Sequence, residues 1–224
     1  MMDNEKWQNY LHRLPYEYSD RGPGVKADFI SEDHALPICS INQRVFDDCN
    51  AVVDLGCGVG RAMSLLKSKS KTVRGITWNV LEVQDGIAKY GLTDEEIIVG
   101  DLHETPYPSC FFDGAIMWDA LEHAISPIIA LWECNRILRQ GGTLLLFLPH
   151  QIYTDYDVHV VNLNVGQTKA LLTKTGFIIT DIVDYSGESA RYVAKKIPKV
   201  DVQLKEHNKN FPLRSWTELV RDGK

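Results

Sequence analysis

No apolar run in this chain approaches the roughly 20 residues that a bilayer-spanning helix needs. The longest, Thr143–Leu148, has the length of a buried strand. The five cysteines (Cys39, Cys49, Cys57, Cys110 and Cys134) are odd in number and contain no C-x-x-C pair. That spacing argues against a disulfide framework or a zinc site, fits a reducing cytoplasm, and leads us to assign no metal ligands. Internal repeats and low-complexity tracts are absent. The first residues, Met1–Lys6, are polar and lack the apolar core of a signal peptide. Excess positive charge is missing too. A net charge of -6 disfavours general affinity for phosphate backbones. The exception is local: residues 186–224 carry nine Lys/Arg against five Asp/Glu, so this basic tail is expected to dock on an acidic body.

What is present is ordinary in bulk and specific in detail. With 224 residues, 44% hydrophobic and 24% charged, the chain can bury a sizeable core. From Asn50 to about Ile197, short apolar runs alternate with longer amphipathic stretches, the pattern of repeated βα units on a parallel sheet. Strands are expected at 51–55, 72–77, 96–99, 114–118, 143–148, 177–185 and 190–196. Helices are expected near 61–67, 81–90, 127–138 and 166–175. Gly91 falls where a left-handed helix C-cap is commonly glycine. Gly141-Gly142 and Gly176 are read as the turns that end the last two helices. Upstream, Trp7, Tyr10, Leu11 and Leu14 stand at helical spacing. We therefore divide the chain into an N-terminal helical cap (1–49), a core (50–197) and the basic tail (198–224).

The densest signal is Ala51-Val52-Val53-Asp54-Leu55-Gly56-Cys57-Gly58-Val59-Gly60, with a helical pattern opening at Arg61. It reads as a buried strand, a tight glycine turn and a helix start, an element that lets a nucleotide-like ligand lie against backbone. The spacing is G-x-G-x-G after an aspartate. It is neither the G-x-G-x-x-G of dinucleotide folds nor a P-loop, which needs a following Lys-Ser/Thr. Ligands of open α/β sheets bind outside the carboxyl ends of the strands. The groups at those ends are Asp54, Thr77-Trp78, Asp101-Leu102 and Trp118, the last followed by Leu121-Glu122-His123.

On these residues the chain resembles the class I S-adenosylmethionine (SAM) dependent methyltransferases of the small-molecule type. The matching blocks run from Val52 to Phe177. They include Leu121-Glu122-His123, Pro127, Ala130-Leu131-Trp132-Glu133, Arg136-Ile137-Leu138 and Gly141-Gly142. The resemblance implies an α/β, Rossmann-like three-layer sandwich with a seven-stranded, mostly parallel sheet. It implies SAM as cofactor and a small-molecule acceptor, with neither membrane nor nucleic acid as partner. In the family, the acid at Asp54 helps hold the amino group of SAM, and Gly56, Cys57, Gly58 and Gly60 form the turn beneath it. Asp101 would read the adenine amino group, with the Leu102 amide close to the ring. Trp78 would pack on the adenine edge, and Trp118 is counted with the same site. The family usually carries an acid at the position of Thr77 to bind both ribose hydroxyls. Threonine cannot replace a bidentate acceptor alone. Gln84 is expected to help, with Glu82 as the rival.

Methyl transfer from a sulfonium needs alignment and, for many acceptors, a base. His123 leads by position, and His150 and His159 are rivals flanking the 149–159 segment, an expected acceptor-binding loop. Three other readings are open. A nicotinamide oxidoreductase would share the fold, a cyclopropane-fatty-acid-synthase-like enzyme would share Gly75-Ile76-Thr77, and a SAM-binding protein without turnover would explain the missing ribose acid. The identity of the acceptor and the oligomeric state stay open.

Overall fold

The computed structural model describes residues 44–69, 71–150, 159–185, 187–198, 202–215 and 218. The helical stripe expected at residues 7–14 and most of the 149–159 loop lie outside these. A 3-10 turn, Arg44–Phe46, precedes β1 (Ala51–Leu55), α1 (Arg61–Lys67), β2 (Thr72–Thr77), α2 (Val80–Tyr90) and β3 (Ile97–Val99). The chain continues through β4 (Phe112–Trp118), a second 3-10 turn (Leu121–His123), α3 (Pro127–Ile137) and β5 (Leu138–Pro149). It ends with α4 (Val165–Lys174), β6 (Phe177–Tyr185), β7 (Ser189–Lys196), α5 (Val202–Asn210) and β8 (Arg214–Ser215). Among the described residues no helix is long and apolar enough to cross a membrane.

The strands form one eight-stranded sheet in the order β3-β2-β1-β4-β5-β7-β6-β8. Strands β3, β2, β1, β4 and β5 run parallel, and β7 is antiparallel to both β5 and β6. The order reverses between β1 and β4, the switch point outside whose carboxyl ends open α/β sheets bind ligands in a crevice. The sheet is α/β and mostly parallel, as expected. The eighth strand, which the sequence reading did not include, is a two-residue parallel addition to β6, pairing Val183 with Arg214.

Two apolar layers hold this sheet, and the alternation of side chains explains both. Val53, Leu55, Ala115, Met117, Leu144 and Leu146 face one side, where Leu131, Cys134 and Ile137 of α3 cover them. Val52, Val73, Ile116 and Leu145 face the other, against Ala62, Met63 and Leu66 of α1. All five residues of β1 are buried, as expected of a strand covered on both faces.

Two local differences from the expected elements have clear causes. α3 stops at Ile137, because Leu138 is already extended (ψ 143°) and pairs with Phe112. Gly141-Gly142 therefore does not end the helix. It lies inside β5, where the register with β4 shifts between Phe112 and Gly114 and Gly141 takes a φ of 75°. The region read as a tail also contributes packed structure. Asn208 of α5 is buried and bonds the backbone of Phe177 and Ile179. Arg214 binds Asp181 at 2.5 Å through a guanidinium nitrogen, and the buried Arg191 holds the other carboxylate oxygen.

Candidate active site

The glycine turn is built by the hydrogen bonding of β1's end. Gly56 and Cys57 both donate their amides to the Ile76 carbonyl, at 2.9 and 3.0 Å, and Gly60 donates to Cys57. Gly56, Gly58 and Gly60 all have positive φ (89°, 52° and 77°), a region that side chains with a Cβ enter at a cost. Two of them also mark spatial limits. A Cβ on Gly56 would stand 2.5 Å from the Cβ of Ala120, so the turn after β4 lies directly on the glycine loop. A Cβ on Gly58 would meet no atom of the described residues within 4 Å, the room that a backbone cradle for a ligand requires.

Beside this cradle, Asp54 is buried, and no hydrogen bond from the described residues reaches its carboxylate. Burial pushes its pKa up to about 7. A buried carboxylate in that condition calls for a cation or a set of donors. The ammonium of a methionine moiety is such a group. Cys57, half-buried next to it, has its thiol pushed well up by burial and by the Asp54 and Glu82 charges. It therefore serves as packing rather than as a nucleophile.

At the end of β2, Thr77 has an acidic partner. The Thr77 hydroxyl donates to Glu82 Oε2, from the first turn of α2. Burial raises the Glu82 pKa against the lowering effect of that hydrogen bond, and the neighbouring Asp85 adds to the rise. Gln84, two residues on, is exposed. The fold thus brings Glu82, and not Gln84, to Thr77. α2 opens directly after β2, because Asn79 caps it at once by accepting from the Leu81 amide at 2.9 Å. Trp78 stands half-buried between them.

At the end of β3, Asp101 is held by its neighbour. The His103 amide (2.8 Å) and His103 Nδ1 (2.5 Å) both bond Oδ1. His103 Nε2 accepts from the Ser126 amide at 3.1 Å, which leaves the proton on Nδ1 for Asp101. Burial pushes the Asp101 carboxyl up, but these bonds outweigh it and hold the group below its ordinary range. Among the described residues none bonds Oδ2. Leu102 packs on the α3 side of the core.

β4 ends in an aromatic pair. Trp118 stacks on Phe147 with ring centroids 4.4 Å apart and planes 6° from parallel. The Trp118 indole nitrogen is buried with no hydrogen-bond partner among the described residues. Asp119 then takes a left-handed φ of 47°, uncommon without glycine, and turns the chain into Leu121–His123. His123 Nε2 lies 3.8 Å from Glu122 Oε1. The His159 ring meets the His123 ring edge-on, with centroids 5.0 Å apart. Sequence reasoning treated His159 as a rival to His123 and gave Glu122 no role. The fold makes the three one cluster, because the Val160 and Val161 amides bond the Glu122 carbonyl at 2.9 and 3.2 Å.

His150 is placed differently. Its Nδ1 bonds the Leu163 carbonyl and its Nε2 meets the Tyr192 hydroxyl at 2.9 Å, so both ring nitrogens are engaged. Burial lowers its pKa. His150 ties β5 to β7 and to the start of α4.

The β1, β2 and β3 ends of the parallel sheet thus gather a glycine turn and three acidic side chains, Asp54, Glu82 and Asp101. Residues 53–146 match the family described as "Methyltransferase domain". A probable S-adenosylmethionine-dependent methyltransferase of Mycolicibacterium smegmatis is 28% identical over 150 residues, covering 63% of this chain and 58% of its own length. The (+)-O-methylkolavelool synthase of Herpetosiphon aurantiacus is 26% identical over 149 residues, covering 59% of this chain and 52% of its own. The chain thus spans between half and three fifths of these relatives. A SAM-dependent methyltransferase structure from Methanosarcina mazei superposes with a TM-score of 0.60 at 18% identity, covering 73% of this chain and all of that one. Residues 53–146 thus match a methyltransferase domain on a fold shared with SAM-dependent methyltransferases, and SAM is the cofactor of the bacterial relative named above.

Proposed function

We propose that the protein transfers a methyl group from SAM to an O, N or C nucleophile of a small molecule. The observation that carries this reading is Asp54: a buried carboxylate, unmatched by donors from the described residues, beside a glycine whose Cβ position opens on free space. When bound, SAM supplies an electrophilic methyl group on a cationic sulfur. Asp54 would receive its ammonium group. Glu82, held by Thr77, would accept from the ribose hydroxyls, and Asp101 Oδ2 would accept from the adenine amine. Ala120, just before the Leu121–His123 turn, packs on Gly56, which supports a reading in which His123 would face the approaching acceptor. His123 would take the proton that an O–H, N–H or acidic C–H nucleophile loses on attack. Glu122, 3.8 Å behind it, would favour the imidazolium that results.

The Glu82–Thr77 pair also weighs against a SAM-binding protein without turnover. That reading rested on the missing ribose acid, and Glu82, bonded to Thr77 from a helix instead of a strand, would fill that place.

Calorimetric titration with SAM, its demethylated product and NADH tests the cofactor assignment. Binding of the first two and not the third is expected, and the reverse result would overturn the proposal. Labelled-methyl transfer to a panel of phenols, alcohols, amines and acidic carbon compounds then tests the acceptor class.

A further inference from the structure

We propose that Glu122, His123 and His159 form a binding site for one divalent transition-metal ion, of the zinc or cobalt kind. One ligand atom from each residue lies within 4.8 Å of the others. A tetrahedral site with bonds of about 2.0–2.2 Å places its ligand atoms roughly 3.3–3.6 Å apart, so small side-chain rotations close the set. The donors are two imidazoles and one carboxylate. That combination suits zinc, cobalt, nickel and ferrous iron, whereas magnesium and calcium prefer oxygen alone.

Three further features favour a metal. The Glu122 side chain is only 3% exposed, and a carboxylate at that depth gains most from a cation beside it. The two segments that carry the ligands are pinned to each other, since Val160 and Val161 donate to the carbonyl of Glu122 itself. Ligands fixed at their backbones lose little freedom when an ion arrives. Finally, three protein ligands leave a coordination position open, as in catalytic rather than structural zinc sites.

That open position lies at the end of β4, where the acceptor is proposed to enter. This last step rests on the methyltransferase reading. The ion would hold the acceptor's heteroatom and lower its proton affinity, and His123 would bind metal instead of collecting the proton. The binding site itself does not depend on that reading.

The test uses the full-length, metal-stripped protein titrated with Co²⁺, followed by visible absorption, with Zn²⁺ as competitor. One ion per chain is expected, with the intense bands of low-coordinate cobalt. His159→Ala and Glu122→Gln should each weaken binding by more than about tenfold, the loss that outer-shell changes alone can cause. His207→Gln, which alters an exposed ring bonded to the Ile179 carbonyl, should leave it unchanged. SAM titration of each variant reports whether the fold survived, and His159→Ala decides the matter if Glu122→Gln fails to fold. Equal cobalt uptake by wild type and His159→Ala, or none by wild type, would overturn the site. Cobalt bound at the cluster without any SAM affinity would instead overturn the methyltransferase reading and leave the metal site standing.

Discussion

The two banks of the crevice are assembled in opposite ways. On the cofactor bank, each functional group lies within a few residues of the strand that presents it: Asp54 with the glycine turn, Thr77 with Glu82, Asp101 with His103. On the acceptor bank the partners come from far apart in the chain. His123 meets His159, and His150 meets Leu163 and Tyr192. A local site is fixed once its βα unit forms. A site built from distant segments is fixed only when the whole sheet is assembled. Substitutions on the cofactor bank should therefore act on affinity, and those on the acceptor bank on rate.

The largest effect should come from the acceptor bank. His123→Ala is expected to lower turnover by about 10²–10⁴-fold, the usual contribution of a positioned acid–base group. SAM affinity should be unchanged in the same calorimetric measurement. Loss of SAM binding in that variant would break the distinction between the banks.

Asp54→Asn comes next. Removing one partner of a buried charge contact costs roughly 3–5 kcal/mol, so SAM affinity should fall at least a hundredfold. Stability of the ligand-free protein should move the other way. Between its unfolded pKa near 3.8 and its folded value of about 7, Asp54 holds a proton in the native state and releases it on unfolding. The unfolded state binds fewer protons there, so stability falls as pH rises through that window and stays reduced above it. The variant should therefore melt higher than wild type at pH 8, by an amount that vanishes near pH 4. Coincident melting curves at both pH values would remove burial of Asp54 as the cause.

Gly58→Ala should reduce SAM affinity by about tenfold while costing only about 1 kcal/mol of stability, since the added methyl meets no atom of the described residues and would enter the proposed ligand's space. Comparing melting temperature with the dissociation constant separates the two effects. The smallest expected change discriminates the two ribose candidates. Glu82→Gln should weaken SAM binding by about 1–2 kcal/mol through loss of a charged acceptor. Gln84→Ala should leave it unchanged, and the opposite ranking would restore Gln84.

The same contrast explains what could be read before the structure. The strands along the chain and the positive-φ glycine turn were legible because each is written in a short contiguous segment. Glu82 was only half legible, since its role depends on α2 starting right after β2, a boundary set by the Asn79 cap. The bulge in β5 was missed because a glycine pair after a helical pattern has the same local appearance as a helix stop. Only the pairing of Leu138 with Phe112 distinguishes the two. The Glu122–His159 meeting could not be inferred at all. Nothing in either segment announces the other, and they are joined by the Val160 and Val161 amides and the His123–His159 ring contact.

Those amides, together with the His150 amide bonded to the Glu188 carbonyl at 2.6 Å, hold both margins of the stretch between Pro149 and His159. Changes in the length of the intervening chain carry only a slowly growing entropic cost. Under the proposed function, a change of acceptor would be sought by exchanging the sequence between these two anchored margins, leaving the β1–β3 strand ends as they are.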